Sequence, residues 1–273
     1  MVVRRARALE ILKGELVHPS GKLKYPDPQD TQVIYASPSV DVAANMDLVH
    51  ETVEACKLIL YYTHWNIRLL SKSNLLHKVA ELICEWAAPD FGWNAVTEDD
   101  VKARMIFGVS TGTLDDGIAA AFEQDTPKVS ARLKSLHKLQ DGGFRTFGMI
   151  CPSLPQVDPM AYTTFSEKAM KAIRAEKCEH VWSEVINVRG DSMTATVKAL
   201  MDGGFESEAA LLAEVSSNDE AWHQYNLLTF HSHAAELAGM GENPAKKLRH
   251  LTYTTKETHA YWGECRASGA VLL

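Results

Sequence analysis

The spacing of apolar residues switches along the chain between a period of two and a period of three to four. "QVIYASPS" (32–39) is short and rich in β-formers, whereas "NMDLVHETVEACKLILYY" (45–62) sets its apolar side chains at helical spacing. The switch then repeats. "NIRLLS" (66–71), "RMIFGVS" (104–110), "FRTFGMI" (144–150) and "HVWSEVINV" (180–188) read as strands. Among them, "NLLHKVAELICEWA" (74–87), "TLDDGIAAAFE" (113–123), "PKVSARLKSLHKLQ" (127–140), "YTTFSEKAMKAIRAE" (162–176) and "SMTATVKALM" (192–201) read as helices. Asn74 is the expected N-cap of its helix, and Pro127 suits a first turn. The tetrapeptide "DGGF" occurs at 141–144 and again at 202–205, where glycine would supply the left-handed residue that stops a helix. "HPSGKLKYPDPQD" (18–30) and "PDFGWNAVTEDD" (89–100) have no period and read as irregular.

Five β-then-α units predict parallel strands joined by right-handed crossovers. Their strands are apolar on both faces, as burial under helices requires. Five units are too few for a closed eightfold barrel. The expected class is therefore α/β: an open, partial TIM-like β/α barrel of about five to six parallel strands, with a doubly wound sheet as the other solution. The chain divides, on this reading, into an N-terminal helix and irregular segment (1–30), the partial barrel (31–205) and a C-terminal helical extension (206–273). In that extension "SNDEAWHQYNLLTFHSHAAELAGMG" (217–241) reads as one helix, and "PAKKLRHLTYTTKETHAYWGEC" (244–265) as a cover packed on the barrel.

Composition adds limits rather than a function. The chain has 273 residues, 46% hydrophobic and 23% charged, which is ample for a sizeable core. A net charge of −7 argues against a sequence-independent DNA binder and leaves a local basic groove open. The basic cluster is Arg4, Arg5, Arg7 and Lys13. No apolar run is long enough to span a membrane, and no apolar stretch follows the basic start as in a secretory signal, so a cytoplasmic location is expected. The five cysteines are odd in number and far apart, which speaks against a disulfide framework and against a local zinc or iron–sulfur motif.

In parallel α/β folds ligands sit at the carboxyl ends of strands. The residues there are Ser37, Ser39 and Asp41; Ser71, Lys72 and Ser73; Ser110, Thr111 and Thr113; Cys151, Pro152 and Ser153; and Glu184, Asn187 and Arg189. Hydroxyls, a lysine, an arginine and carboxylates would suit a small, charged, hydroxyl-rich ligand, although Ser and Thr at these places also cap the following helices. Lys72 has three readings. It is a solvated lysine at a strand end, a desolvated amine poised for a Schiff base, or a charged anchor for a carboxylate or phosphate, which the polar "SKSN" favours. "HSH" (231–233) sits in a helix, where residues two apart diverge, so it makes a poor metal pair. "GTLDDG" (112–117) places its acids in a first turn, where they complement the helix dipole. No dinucleotide fingerprint, P-loop or zincin motif occurs.

Taken in order, "ASPSVD", "LLSKSN", "FGVSTGT", the stretch from Phe122 to Pro155 and "SEVINVRG" resemble the radical S-adenosylmethionine superfamily, and within it the spore photoproduct lyase-like branch. The most specific piece is "EQDTPKVSARL" followed by the "KSL" helix, the "GGF" stop and a strand ending in "CP". The resemblance runs from Val33 to Arg189. It implies a partial six-unit barrel that holds S-adenosylmethionine across the strand tops. Lys72 and Ser110 would contact its methionine moiety and ribose, with Ser37 and Asp41 approaching from the neighbouring strand and Pro152 flanking the adenine. Cys151, Glu184 and Arg189 are the residues assigned to catalysis, and Asn187 to the substrate side. A DNA-repair-type lyase reaction on nucleic acid or nucleobases is the activity implied. The family's CxxxCxxC loop and the first strand that carries it are absent, so a 4Fe–4S cluster is expected only if a missing segment or a partner chain supplies the cysteines. The alternatives are a non-catalytic binding module and a Schiff-base lyase using Lys72. A missing first strand would leave a sheet edge near Val33 for a partner chain, or for the helix in "RRARALEILKG", to cover.

Overall fold

Each β-then-α alternation is realised, and capping chemistry sets the ends of its elements. The computed structural model describes residues 7–36, 41–87, 95–187 and 191–273. All the strand pairings described within the two units are parallel, and the seven strands follow one another in chain order, β1 to β7. The fold is thus the open α/β, partial TIM-like class expected. The chain divides into two units, residues 1–108 with 138–145, and residues 109–137 with 146–273.

The first unit contains α1 (Ala8–Leu16), β1 (Val33–Ala36), α2 (Met46–Tyr62), β2 (Asn66–Ser71), α3 (Leu76–Trp86), α4 (Glu98–Arg104) and the start of β3 (Met105–Ser110). Asn45 caps α2 by accepting from the Leu48 N–H at 2.9 Å. At the other end of α2, carbonyls would be left without helical partners. Arg104 satisfies them: its guanidinium donates to the carbonyls of Leu60 (2.9 Å), Thr63 (2.8 Å) and Trp65 (3.0 Å). β1 lies parallel to β2, with Val33 opposite Asn66 and Ala36 opposite Leu69. In β2, Ile67, Leu69 and Ser71 are buried and alternate with half-buried neighbours, while every residue of β3 is buried.

Two expectations change in this unit. Asn74 is not the cap of α3; the helix begins after Leu75, whose N–H is taken by the Ser73 hydroxyl at 3.0 Å. The end of the stretch read as irregular (89–100) opens α4, because Thr97 and Asp100 form a reciprocal capping box. Helix α1 packs on α2, and Val33 and Tyr35 of β1 are 46% and 45% exposed.

The second unit holds the end of β3, then α5 (Asp116–Phe122), α6 (Val129–Asp141), β4 (Arg145–Ser153), α7 (Pro159–Ala172), β5 (His180–Val185), α8 (Ser192–Asp202), α9 (Glu206–Val215) and α10 (Asp219–Gly239). It finishes with α11 (Pro244–Lys247), β6 (Leu248–Thr252), α12 (His259–Cys265) and β7 (Ala270–Leu272). β5 is parallel to β4 and to β6, and β6 is parallel to β7. The C-terminal region is therefore not wholly helical: it supplies two strands. "LRHLT" hid one of them because His250 counts as polar in a sequence pattern, yet here it is fully buried. One core cluster gathers Leu154, Ile186, Met193, Leu200 and Leu212, and a second gathers Tyr162, Val185 and Tyr225.

The two "DGGF" copies stop their helices in the same way. Gly143 and Gly204 both take φ of +79°, which a side chain would resist. Phe144 and Phe205 then donate their N–H groups back to Leu139 (3.1 Å) and Leu200 (2.9 Å). A strand follows the first copy and a helix the second, so the motif ends a helix without choosing its successor. Among the described residues no helix is long and apolar enough to cross a membrane.

Candidate functional site

Strand-end residues of the first unit meet at β2. The half-buried Asp41 carboxylate accepts from the Ser71 hydroxyl (2.6 Å), the Lys72 N–H (2.7 Å) and the Ala43 N–H (2.9 Å). Ser71 in turn accepts from the Ser73 N–H at 2.8 Å. Ser71 and Ser73 are both 2% exposed, so these hydroxyls are internal struts rather than ligand contacts. Lys72, between them, is half-buried, and its backbone is held on both sides. The structure thus brings Asp41 and Lys72 together, and gives Asp41 a positioning task that the sequence did not show. Ser37 lies outside the described residues.

Strand-end residues of the second unit meet around β4. The Ser110 hydroxyl donates to the Cys151 carbonyl at 3.0 Å. The Thr111 N–H donates to Met149 at 2.9 Å, and the Cys151 N–H donates back to Thr111 at 3.2 Å. Ser110 is 3% exposed and so ties two strands together. The Cys151–Pro152 peptide is cis. Gly112 passes directly beneath it: a Cβ there would fall far inside van der Waals contact with the Pro152 carbonyl oxygen. Gly112→Ala is expected to destabilise the protein by about 1–3 kcal/mol, the usual range for overpacking. Urea unfolding of the variant checks this, and an unchanged midpoint would contradict it.

Cys151 and Glu184 are also neighbours. The thiol donates to Glu184 Oε2 at 3.6 Å. Burial pushes the Glu184 carboxyl above its usual range, and the thiol hydrogen bond pulls it part of the way back. A carboxyl whose protonated form is favoured by burial, beside a thiol, can exchange protons at a strand end. Arg189, the third residue assigned to catalysis, lies outside the described residues. Asn187 lines a different part of the second unit, a cleft at the carboxyl ends of β5 and β6.

Two residues that organise these ends were not singled out from the sequence. Arg132 is fully buried and sits below Ser110. It donates to the carbonyls of Pro127 (2.7 Å) and Ser110 (3.3 Å) and to the Thr126 hydroxyl (2.6 Å), and pairs with the buried Glu123 at 2.5 Å. The signal was in "EQDTPKVSARL": an acid and an arginine flank a proline turn, but their pairing needs the turn's geometry. Tyr225 is the other. Its buried hydroxyl donates to the Ser153 carbonyl and accepts from the Ile186 N–H at 3.2 Å, joining the ends of β4 and β5.

The "HSH" pair diverges as expected: His233 is buried against the Ser166 hydroxyl (2.8 Å), while the exposed His231 meets the Tyr261 hydroxyl (2.8 Å). Among the described residues, no three His, Cys, Asp or Glu side chains come together as a metal-holding group. The described donors therefore do not fit an iron–sulfur cluster, which needs several converging thiolates.

No family model matches the chain, and no curated protein does. Among solved structures it is similar to a spore photoproduct lyase mutant, with a TM-score of 0.45 and 12% identity over 63% of this chain. The match spans 46% of that protein, so this chain aligns to less than half its length.

Proposed function

We propose that this protein binds S-adenosylmethionine at its strand carboxyl ends, as a radical-S-adenosylmethionine-like fold whose own described residues do not supply the iron–sulfur cluster. The observation that carries this reading is the Asp41 clamp. Its carboxylate fixes the Ser71–Lys72 turn through two hydrogen bonds of 2.6 and 2.7 Å, and so presents an ammonium group at a strand end with its backbone already ordered. An ammonium carried on an ordered backbone suits the carboxylate of the cofactor's methionine moiety, as a charge-assisted pair. The order of the strand-end segments along the chain supports the same ligand. In the second unit, Cys151 and Glu184 form the polar pair available to receive or hold a proton.

Calorimetric titration with S-adenosylmethionine tests the proposal. Saturable binding is expected, weakened about 10–100-fold in Lys72→Ala, the range of a charged hydrogen bond. Asp41→Asn should weaken it in the same direction, because the turn loses one anchor. 5′-Methylthioadenosine, which lacks the carboxylate, should bind the wild type and Lys72→Ala alike. Absence of S-adenosylmethionine binding, or equal binding by Lys72→Ala, would overturn the assignment.

The mismatch between the donor set and a cluster favours binding without radical chemistry by this chain alone. Anaerobic treatment with iron and sulfide is expected to leave no stoichiometric cluster on it. A stoichiometric 4Fe–4S cluster would refute that part of the reading while leaving the ligand assignment standing.

A further inference from the structure

A cleft of about 460 Å³ opens in the second unit at the carboxyl ends of β5 and β6. That volume suits a small organic ligand, since such sites run from about 300 to 1,000 Å³. Its location follows from the two strands that bound it. Asn187 follows β5, Tyr253 follows β6, and the first turns of α10 bring in Asp219, Glu220, Trp222 and His223.

The aromatic part of the wall is fixed in place. Trp222 donates its indole N–H to the Ile186 carbonyl at 3.0 Å and packs on both core clusters. His223 stands edge-on to Tyr261 and Trp262, with ring centroids 6.2 and 5.9 Å away. Burial holds the His223 imidazole below its usual pKa, which disfavours a positive charge on this wall. Among the described residues the charged part of the wall is all of one sign: Asp219, Glu220 and Glu257 line the cleft, with no described lysine or arginine among its lining residues. Lys256 is the adjacent base in sequence; it is exposed and does not line the cleft.

Aromatic faces attract cations through their quadrupoles, and a rim of carboxylates adds to the attraction and repels anions. We infer that this cleft is a binding site for an organic cation with an apolar or aromatic body, of the aryl-alkyl ammonium class. The body lies on Trp222 and Tyr253, and the cationic centre faces Glu220 and Glu257. This site is independent of the assignment of Lys72 to S-adenosylmethionine.

Benzyltrimethylammonium is a suitable probe, with benzyl alcohol and phenylacetate as its neutral and anionic counterparts. Titration of the full chain at low salt, followed by tryptophan emission and calorimetry, is expected to show one saturable site for the cation. Benzyl alcohol should bind at least about threefold more weakly, within the range of two exposed charge pairs, and phenylacetate more weakly still. The Glu220→Gln, Glu257→Gln double variant removes two exposed carboxylates without touching the core. It should weaken the cation about 3–10-fold and leave benzyl alcohol unchanged. Trp222→Phe keeps a ring in place and should retain cation binding while losing part of the emission change. The inference fails if the cation does not saturate, if benzyl alcohol binds as tightly, or if the double variant binds the cation as the wild type does.

Discussion

Arg132→Met is expected to cost about 3–5 kcal/mol of stability, the range for removing one partner of a buried ion pair. Arg132 is fully buried and Glu123 is 7% exposed, so the substitution leaves a carboxylate in the interior without its counter-ion. It also removes the donors to Pro127, Thr126 and Ser110 at 2.7, 2.6 and 3.3 Å. Lysine is not expected to rescue, because one ammonium cannot reproduce a planar fork aimed at separate acceptors. Replacing both charges with Arg132→Met and Glu123→Leu should recover much of the loss, since a buried pair is often no more stable than apolar residues of similar size. A double-mutant cycle by urea unfolding measures this. A loss below about 1 kcal/mol in Arg132→Met would show that the pair contributes no more than a surface bridge.

Acidification is expected to unfold the protein from the histidines of its second unit. His250 and His233 are fully buried, and burial lowers their pKa values from 6.5 to about 3 and about 4. His250 lies in a directional chain: it faces the Ser183 hydroxyl at 3.2 Å and the Asn226 carbonyl oxygen at 2.7 Å, and the Asn226 amide donates to Thr252 at 2.7 Å. The Asn226 oxygen can only accept, so Nε2 carries the imidazole proton and Nδ1 accepts from Ser183. A second proton on His250 would break the Ser183 contact. His233 has one buried ring nitrogen, Nε2, with no hydrogen-bond partner, so nothing offsets the cost of charging it.

The sign follows from linkage. Below pH 6.5 the unfolded chain takes up protons that the folded chain refuses, until pH nears the folded values. Stability is therefore full above about 6.5 and falls as pH drops towards 4, by about 1.4 kcal/mol per pH unit for each histidine. Urea unfolding at a series of pH values should show a slope of up to ~2.7 kcal/mol per unit between pH 6 and 4.5. His250→Gln should lower stability at pH 7 and reduce that slope by about half. Equal slopes in variant and wild type would assign acid sensitivity to other groups.

Backbone periodicity was legible without tertiary information. The apolar spacing determined the first five strands, most helices, the parallel α/β class and the helix stops at Gly143 and Gly204, because each depends on residues within a few positions of one another. The grouping of polar residues at strand ends was legible for the same reason: strand and loop alternate regularly, so position along the chain maps to position on the fold. Lys72 was visible on that map as a lysine at a strand end.

Tertiary structure decided what those residues do. Asp41 holds Lys72 from thirty-one residues away, Arg132 reaches Ser110 and Glu123 across a turn, and Tyr225 joins two strand ends. The Asp41 and Tyr225 pairings leave no local pattern, and the acid and arginine in "EQDTPKVSARL" pair only through the geometry of their turn. β6 was illegible because burial of His250 depends on partners at Ser183 and Asn226, which only the fold brings near. The cleft of Trp222 and Tyr253 was illegible for the same reason, since its wall comes from a helix start and two strand ends far apart in the chain. Sequence determines what is periodic and local; the pairing of buried polar groups is set by three-dimensional proximity, where the cost of leaving one unsatisfied selects its partner.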